Sequence, residues 1–166
     1  WIAGKICPLL LPSAPILPEF DPIPSVDSRP LVTVQMGAGW PGKAYPPDLM
    51  SEAIRLLERE KIRVAALGGP GDPHPGCGED LVGKTDLKQT LAWLKASQVH
   101  LAPDTGTGHM AAALGTPLVS IFGPEDPEKC RPWGAGVTVL KEGPRTSDVS
   151  PQQAVSAVMK ALEERQ

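Results

Sequence analysis

The sequence predicts a doubly wound α/β fold, in which helices cover both faces of a parallel β-sheet. Short apolar runs alternate with segments of helical periodicity from residue 31 onward, which is the pattern of strands joined by helices. Motifs rich in glycine and small residues follow several of the apolar runs, and ligands of such sheets bind beyond the carboxyl ends of the strands. The 166 residues are the length of one domain with a substantial core, so we do not expect two full lobes.

The first elements contain one exception to strict alternation. A strand at Leu31–Met36 precedes a helix at about Asp48–Arg59, whose start is delayed by prolines. A second strand is predicted at Val64–Leu67 and a third, short one at Leu81–Val82. Only about a dozen residues separate these two strands, fewer than a crossover helix between parallel strands needs. Because this stretch is rich in proline and glycine, we predict a loop there.

The later elements alternate regularly, so that each predicted strand leads into a helix or a loop at the same edge of the sheet. Helices are predicted at about Leu87–Lys95, in the Ala-rich segment that follows Thr105, and from Pro151 to about Glu164, with strands at Val99–Ala102, Leu118–Phe122 and Val137–Leu140.

The first 30 residues differ in composition from the rest. Prolines recur every few residues up to Pro30, which is incompatible with a regular helix or a central strand. We therefore predict a proline-rich linker or strap at residues 1–30 and a Rossmann-like domain at residues 31–166. The chain begins with Trp1 rather than Met, and we expect that a more N-terminal part is missing.

Composition excludes several classes of function. The formal net charge is -3 and the basic residues form no stripe, so nucleic acid is not expected as a partner. No apolar stretch approaches the roughly 20 residues that span a bilayer. Cys7, Cys77 and Cys130 are far apart and odd in number, which predicts neither a disulfide framework nor a zinc site. We expect a cytoplasmic protein with reduced thiols.

The segment from Asp104 to His109 has the features of an anion site. The apolar run before it ends at Asp104, and small residues then lead into an Ala-rich helix, whose first-turn N–H groups and positive dipole end would face a phosphate. His109 falls in the first turn and would point an imidazole toward the anion. Two alternatives stay open, because Asp104 or Thr105 also suits an ordinary helix N-cap, and His109 also suits a structural histidine.

A second motif, Gly37, Gly39 and Gly42 in the spacing G-x-G-x-x-G, raises the alternative of a nicotinamide dinucleotide site. In that fingerprint the third glycine lies inside a helix that begins directly after the strand, whereas here prolines delay the helix. An acidic residue is also absent at the end of the second strand, since Asp72 comes too late. The loop suits close approach to a phosphate instead, with Lys43 as a compact positive charge, although a surface lysine is the commoner case.

Five motifs in one order carry a resemblance to a known family. They occur at residues 37–46, 67–72 and 81–87, at Asp104-Thr105-Gly106-x-x-His109, and at Phe122-Gly123-Pro124-Glu125-Asp126-Pro127. Together they resemble glycosyltransferase family 9, which includes the lipopolysaccharide heptosyltransferases. The resemblance covers residues 31–165 and corresponds to the C-terminal, donor-binding lobe of a two-lobed GT-B enzyme. It implies a nucleotide-sugar donor, with ADP-heptose as the leading candidate.

The resemblance also implies roles for individual residues. The donor diphosphate would be surrounded by Asp104, Thr105, Gly106 and His109, with the backbone N–H groups of Thr105 and Gly106 as the main donors. From its chemistry we expect Asp104 to cap the Ala-rich helix rather than to contact phosphate, and His109 to donate a hydrogen bond to the phosphate.

Four further positions are assigned by the same resemblance. Lys43 would neutralise phosphate charge, and Ala38 and Gly39, which have no hydroxyl, would offer only backbone contacts beside the phosphates. Asp72 would accept hydrogen bonds from the ribose hydroxyls, and Thr85 would border the base. These groups supply positive potential at the leaving diphosphate, so no metal or other cofactor is expected.

The resemblance places the acceptor site and the carboxylate general base on an N-terminal lobe, and this chain has no evident substitute for that base. No catalytic residue is therefore assigned here. The expected partners are the donor and an N-terminal acceptor-binding lobe, with peripheral membrane association only through the acceptor. A non-catalytic nucleotide-sugar-binding module, an NAD-binding Rossmann domain and a GT-B sugar-nucleotide epimerase remain as alternatives; the Asp-Thr-Gly-x-x-His and Phe-Gly-Pro motifs disfavour the epimerase.

Overall fold

The computed structural model describes residue 23 and residues 28–164. Six strands are followed along the chain by helices or loops, and short 3₁₀ turns occur at Pro41–Lys43 and Thr146–Asp148. The strands are β1 (Leu31–Gln35), β2 (Arg63–Leu67), β3 (Glu79–Asp80), β4 (Val99–Pro103), β5 (Leu118–Ile121) and β6 (Val137–Leu140), and the helices are α1 (Pro47–Arg59), α2 (Leu87–Ala96), α3 (Gly106–Ala113), α4 (Pro127–Cys130) and α5 (Pro151–Glu163).

All strand pairs are parallel, and the six strands lie in the order β3-β2-β1-β4-β5-β6. The chain builds the sheet outward in one direction from β1 and then, after returning to β4, in the other. This reversal defines the doubly wound class and creates a crevice at the carboxyl ends of β1 and β4. The predicted fold class is confirmed.

Hydrophobic side chains pack on both faces of the sheet. Val32 and Val34 of β1 belong to a core formed with α1 and α5, whereas Leu31 belongs to a second core formed with α2 and α3. Because side chains alternate between the faces of a strand, one short strand contributes to both cores. Burial on both sides explains why the central strands read as continuous apolar runs.

The predicted third strand is displaced by two residues. The structure places it at Glu79–Asp80, where Glu79 pairs with Ala65 and Asp80 with Ala66 of β2. The sequence analysis chose the apolar Leu81–Val82 instead, and this placement was wrong. Polar residues are tolerated in β3 because it is an edge strand, and Glu79 is held by Arg63, whose Nη2 lies 2.7 Å from the Glu79 carboxylate.

Residues 68–78, between β2 and β3, contain no helix, as predicted. The predicted linker at residues 1–30 lies almost entirely outside the described residues. Among the helices of the described region, none is long and apolar enough to cross a bilayer.

Candidate functional site

The loops that follow β1 and β4 meet at the point where the strand order reverses. Lys43, in the loop after β1, donates from Nζ to Oδ2 of Asp104, the first residue after β4, at 2.7 Å. Its Nζ also lies 3.7 Å from Oε1 of Glu125, in the loop after β5. Three loops from the carboxyl edge of the sheet are thus joined by one ammonium group.

The ion pair between Lys43 and Asp104 is partly withdrawn from solvent. The side chain of Asp104 is 7% exposed and that of Lys43 is 26% exposed. The hydrogen bond to Asp104 raises the pKa of the Lys43 ammonium above its ordinary value, burial opposes this effect, and the charges of Asp104 and Glu125 reinforce it. Lys43 is therefore a fixed positive charge throughout the physiological pH range.

The two residues that follow Lys43 are anchored to the segment before α5. The buried Tyr45, two residues after Lys43, donates from its hydroxyl to the carbonyl of Val149 at 2.8 Å. Thr146 donates from Oγ1 to the carbonyl of Ala44 at 2.7 Å. Burial raises the pKa of Tyr45 to about 12, so this phenol keeps its proton. These two bonds hold the short 3₁₀ turn that presents Lys43 to the crevice.

The N-terminus of α3 has no side-chain cap. Thr105 is the N-cap residue, in extended conformation, and its hydroxyl accepts no hydrogen bond from the first turn. In contrast, α2 and α5 begin with complete capping boxes, made by Asp86 with Gln89 and by Ser150 with Gln153. The Gly108 N–H already donates to the Thr105 carbonyl at 3.1 Å. The Gly106 and Thr107 N–H groups, which have no intrahelical acceptor, remain available to an anion.

The expectation that Asp104 caps α3 was wrong. The helix begins two residues after Asp104, so that Thr105 holds the N-cap position. The Asp104 carboxylate is directed to Lys43 instead, because a nearby ammonium is a stronger partner than a backbone amide. His109 lies in the first turn of α3, with 53% of its side chain exposed and Nε2 4.0 Å from Oδ1 of Asp104.

The glycine loops after β1 and β2 are packed against each other by Asp72. Its Oδ2 accepts a hydrogen bond from the Gly69 N–H at 2.7 Å, and a Cβ on Gly37 would overlap its carboxyl group. Gly37 is thus required by the close approach of Asp72. Ala38 and the exposed Gly39 follow in the same loop, beside the turn that carries Lys43.

Thr85 lies apart from the other predicted site residues. It follows β3, which β2 and β1 separate from β4, and its hydroxyl lies 3.0 Å from Oγ1 of Thr90 in α2. The structure therefore places Lys43 and His109 within 4.0 Å of the Asp104 carboxylate and leaves Thr85 at the far side of the same edge.

Two features of the site were not assigned from the sequence. Glu125 belongs to a motif that carried the resemblance, but nothing in the sequence predicts that its carboxylate approaches Lys43. Lys141, at the end of β6, donates from Nζ to the carbonyls of Gly123 and Glu125, the latter at 2.8 Å. A Cβ on Gly123 would lie 2.6 Å from the backbone nitrogen of Thr146. The loop that carries Glu125 is thus fixed from both sides.

The described residues form a parallel doubly wound sheet with Lys43 and the N-terminus of α3 at its switch point. The family comparison identifies the class of protein. The model of glycosyltransferase family 9 (heptosyltransferase) matches residues 17–158, and the chain belongs to this family of transferases.

Relatives and solved structures agree with this assignment. Lipopolysaccharide heptosyltransferase 2 of Salmonella typhimurium is 29% identical over 128 residues, which cover 68% of this chain and 36% of the relative. A lipopolysaccharide heptosyltransferase 3 of Escherichia coli is 38% identical over 114 residues, covering 61% of this chain and 34% of the relative.

Among solved structures, E. coli ADP-heptose lps heptosyltransferase II aligns with a TM-score of 0.74 and 26% identity, over 82% of this chain and 47% of that chain. E. coli heptosyltransferase WaaC with ADP shares the fold with a TM-score of 0.69 at 23% identity, over 86% of this chain and 46% of that chain. The chain thus spans about a third of the curated relatives' length and just under half of these solved chains.

Proposed function

We propose that this chain is the donor-binding half of an inverting glycosyltransferase and that it binds a nucleoside diphosphate sugar, ADP-heptose, between Lys43 and the N-terminus of α3. The observation that carries the proposal is the pair of Lys43 and Asp104 at 2.7 Å across the switch point, directly beside an uncapped helix. Two solved relatives support the choice of base, because one is an ADP-heptose heptosyltransferase and the other was solved with ADP.

The groups present suit a leaving diphosphate. In the proposed reaction an acceptor hydroxyl attacks the anomeric carbon, and negative charge develops on the diphosphate as its bond to the sugar breaks. Lys43, the exposed imidazole of His109 and the first-turn amides of α3 all place positive potential there. We propose that this set acts without a metal ion. Asp72 would accept from the ribose hydroxyls through its second carboxylate oxygen, and Thr85 would border the base.

Because the chain spans under half of its solved relatives, the acceptor site and the general base belong in this proposal to a second lobe. The chain alone would bind donor and transfer sugar poorly or not at all. Contact with a membrane would occur only through a lipid-linked acceptor. A non-catalytic nucleotide-sugar-binding module would have the same donor site. Sugar transfer by this chain joined to an acceptor lobe would distinguish the transferase from such a module.

The donor preference is tested by titration calorimetry of the chain with ADP, UDP, GDP and NAD. We expect ADP to bind most tightly. Tighter binding of UDP or GDP would change the nucleotide assigned to the donor but would leave the proposed glycosyltransferase function in place. Preference for NAD would contradict the proposal, although the structure gives a reason against it: α1 begins at Pro47, so Gly42 lies outside the helix that a dinucleotide fingerprint requires.

A further inference from the structure

Glu125 brings a second carboxylate to Lys43, although Lys43 already has a closer partner. Its Nζ lies 2.7 Å from Asp104, whereas Oε1 of Glu125 is 3.7 Å away, beyond hydrogen-bonding distance. An ion pair of this length between partly exposed side chains contributes little to stability. A carboxylate beside a phosphate site also repels the anion. The position of Glu125 is therefore explained neither by stability nor by binding of the diphosphate.

The loop that carries Glu125 holds its backbone in a fixed place. Lys141 donates from Nζ to the Glu125 carbonyl at 2.8 Å and also to the carbonyl of Gly123. On the opposite side, Gly123 lies so close to Thr146 that a Cβ would be 2.6 Å from the Thr146 nitrogen. These contacts fix the residues on both sides of Pro124, so a ligand of Glu125 would meet an acceptor that is already ordered.

The neighbouring carboxylate has a different task. Asp126 is the N-cap of α4 and accepts a hydrogen bond from the Glu128 N–H at 3.1 Å. The Asp126 side chain is thus used to begin a helix, whereas the Glu125 side chain is directed to Lys43 and is 38% exposed. Of the two adjacent acids, Glu125 is the one that a ligand in the crevice can reach.

The position of Glu125 along the sheet edge corresponds to one part of the donor. The strand order is β3-β2-β1-β4-β5-β6. The proposed function assigns the base to the loop after β3, the ribose to the loop after β2, and the diphosphate to the loops after β1 and β4. The parts of a nucleotide sugar are joined in this same order. The group bonded to the outer phosphate is therefore expected on the β5 side of Lys43, at the loop that carries Glu125.

We propose that Glu125 recognises the transferred sugar by accepting hydrogen bonds from its hydroxyl groups, while Lys43 binds the adjoining phosphate. An ionised carboxylate has two oxygens that only accept, and sugar hydroxyls can donate charge-assisted hydrogen bonds to them. The diphosphate has no proton to offer to Glu125, so the sugar is the part of the donor that fits. This inference rests on the proposed function, because it concerns the sugar end of the same ligand.

The test compares two ligands that carry the same charge, ADP-heptose and ADP esterified with methyl on its outer phosphate, which has no sugar hydroxyls. In titration calorimetry the unchanged chain should bind ADP-heptose more tightly than the methyl ester. Glu125→Gln should weaken ADP-heptose binding about tenfold, the effect of losing a charge-assisted hydrogen bond, and should not weaken binding of the ester. Glu128→Gln is the matched control, because it removes the same charge from an exposed position on α4.

Glu125→Asp separates contact from charge and carries the test if Glu125→Gln does not fold. It keeps the negative charge but shortens the side chain, so it should bind ADP-heptose more weakly than the unchanged chain does and bind the ester equally well. Three results would overturn the sugar contact alone: no preference of the unchanged chain for ADP-heptose, full ADP-heptose affinity in the Glu125 variants, or equal weakening of both ligands. Failure of the unchanged chain to bind any nucleoside diphosphate would instead overturn the proposed function.

Discussion

His100 of β4 is completely buried, with Nδ1 3.1 Å from the carbonyl oxygen of Thr33 and Nε2 3.2 Å from Oγ1 of Thr107. This buried imidazole makes the stability of the fold depend on pH in a defined window. In the unfolded chain its pKa returns to the ordinary value of 6.5, whereas in the folded chain it is about 4. Between these values the unfolded state binds one more proton than the folded state, so acidification favours unfolding. The stabilisation is complete above pH 6.5 and is lost as pH falls toward 4.

The size of the effect follows from the difference of about 2.5 pKa units, which corresponds to about 3 kcal/mol of unfolding free energy between pH 7 and pH 4. Asp80 affects stability in a separate pH range. Desolvation opposes the ionised carboxylate, but the hydrogen bonds from His74 and the Val82 amide outweigh it and lower the pKa of Asp80 from 3.8. The stabilisation from Asp80 is therefore lost only below that pH. The interval from pH 6.5 to pH 4.5 therefore reports mainly on His100.

Urea unfolding at pH 7, 6, 5 and 4.5 measures the slope. The unchanged chain should lose stability steadily over this range, by up to about 1.4 kcal/mol per pH unit, and His100→Leu should show a much flatter dependence. His109→Ala serves as the control, because it removes an exposed imidazole. A flat profile for the unchanged chain, or the same slope in His100→Leu, would refute the assignment of a buried neutral histidine.

Further predictions concern the anion site. His109→Ala should reduce ADP affinity with little change in melting temperature, since half of this side chain is exposed; a large loss of stability with unchanged affinity would make it a structural histidine. Glu125→Gln should strengthen ADP binding by a few-fold at low salt, because it removes a carboxylate 3.7 Å from Lys43 Nζ, and a weakened complex would contradict this. Tyr45→Phe should cost about 1 kcal/mol of stability by orphaning the carbonyl of Val149; an unchanged unfolding free energy would show that the bond contributes nothing net.

The sequence was sufficient for the fold class, but not for the contacts between the side chains of the candidate site. Alternating apolar runs identify a doubly wound sheet, and motifs after β1 and β4 must then meet at the switch point. Asp104 could not be assigned correctly, because capping and ion pairing use the same carboxylate and only the position of Lys43 decides between them. The burial of His100 could not be assigned either, because within an apolar run only the structure shows that the imidazole is enclosed and contacts Thr33 and Thr107.

The edge strand β3 shows a second limit of what the sequence alone predicts. Apolarity placed β3 at Leu81–Val82, yet pairing with β2 selects Glu79–Asp80, where an ion pair to Arg63 compensates for partial burial of Glu79. The boundaries of an edge strand depend on the residues that it pairs with in the neighbouring strand, and the amino-acid sequence alone does not show this pairing.

The central claim is that Lys43 binds the diphosphate, and titration of Lys43→Ala with ADP and with adenosine tests it most directly. Loss of a charge-assisted hydrogen bond should weaken ADP binding by about 1–3 kcal/mol and leave adenosine binding nearly unchanged. Lys160→Ala, which removes the same charge from an exposed position on α5, should bind both ligands as the unchanged chain does. Equal losses for ADP and adenosine, or full ADP affinity in Lys43→Ala, would contradict the placement of the diphosphate at this lysine.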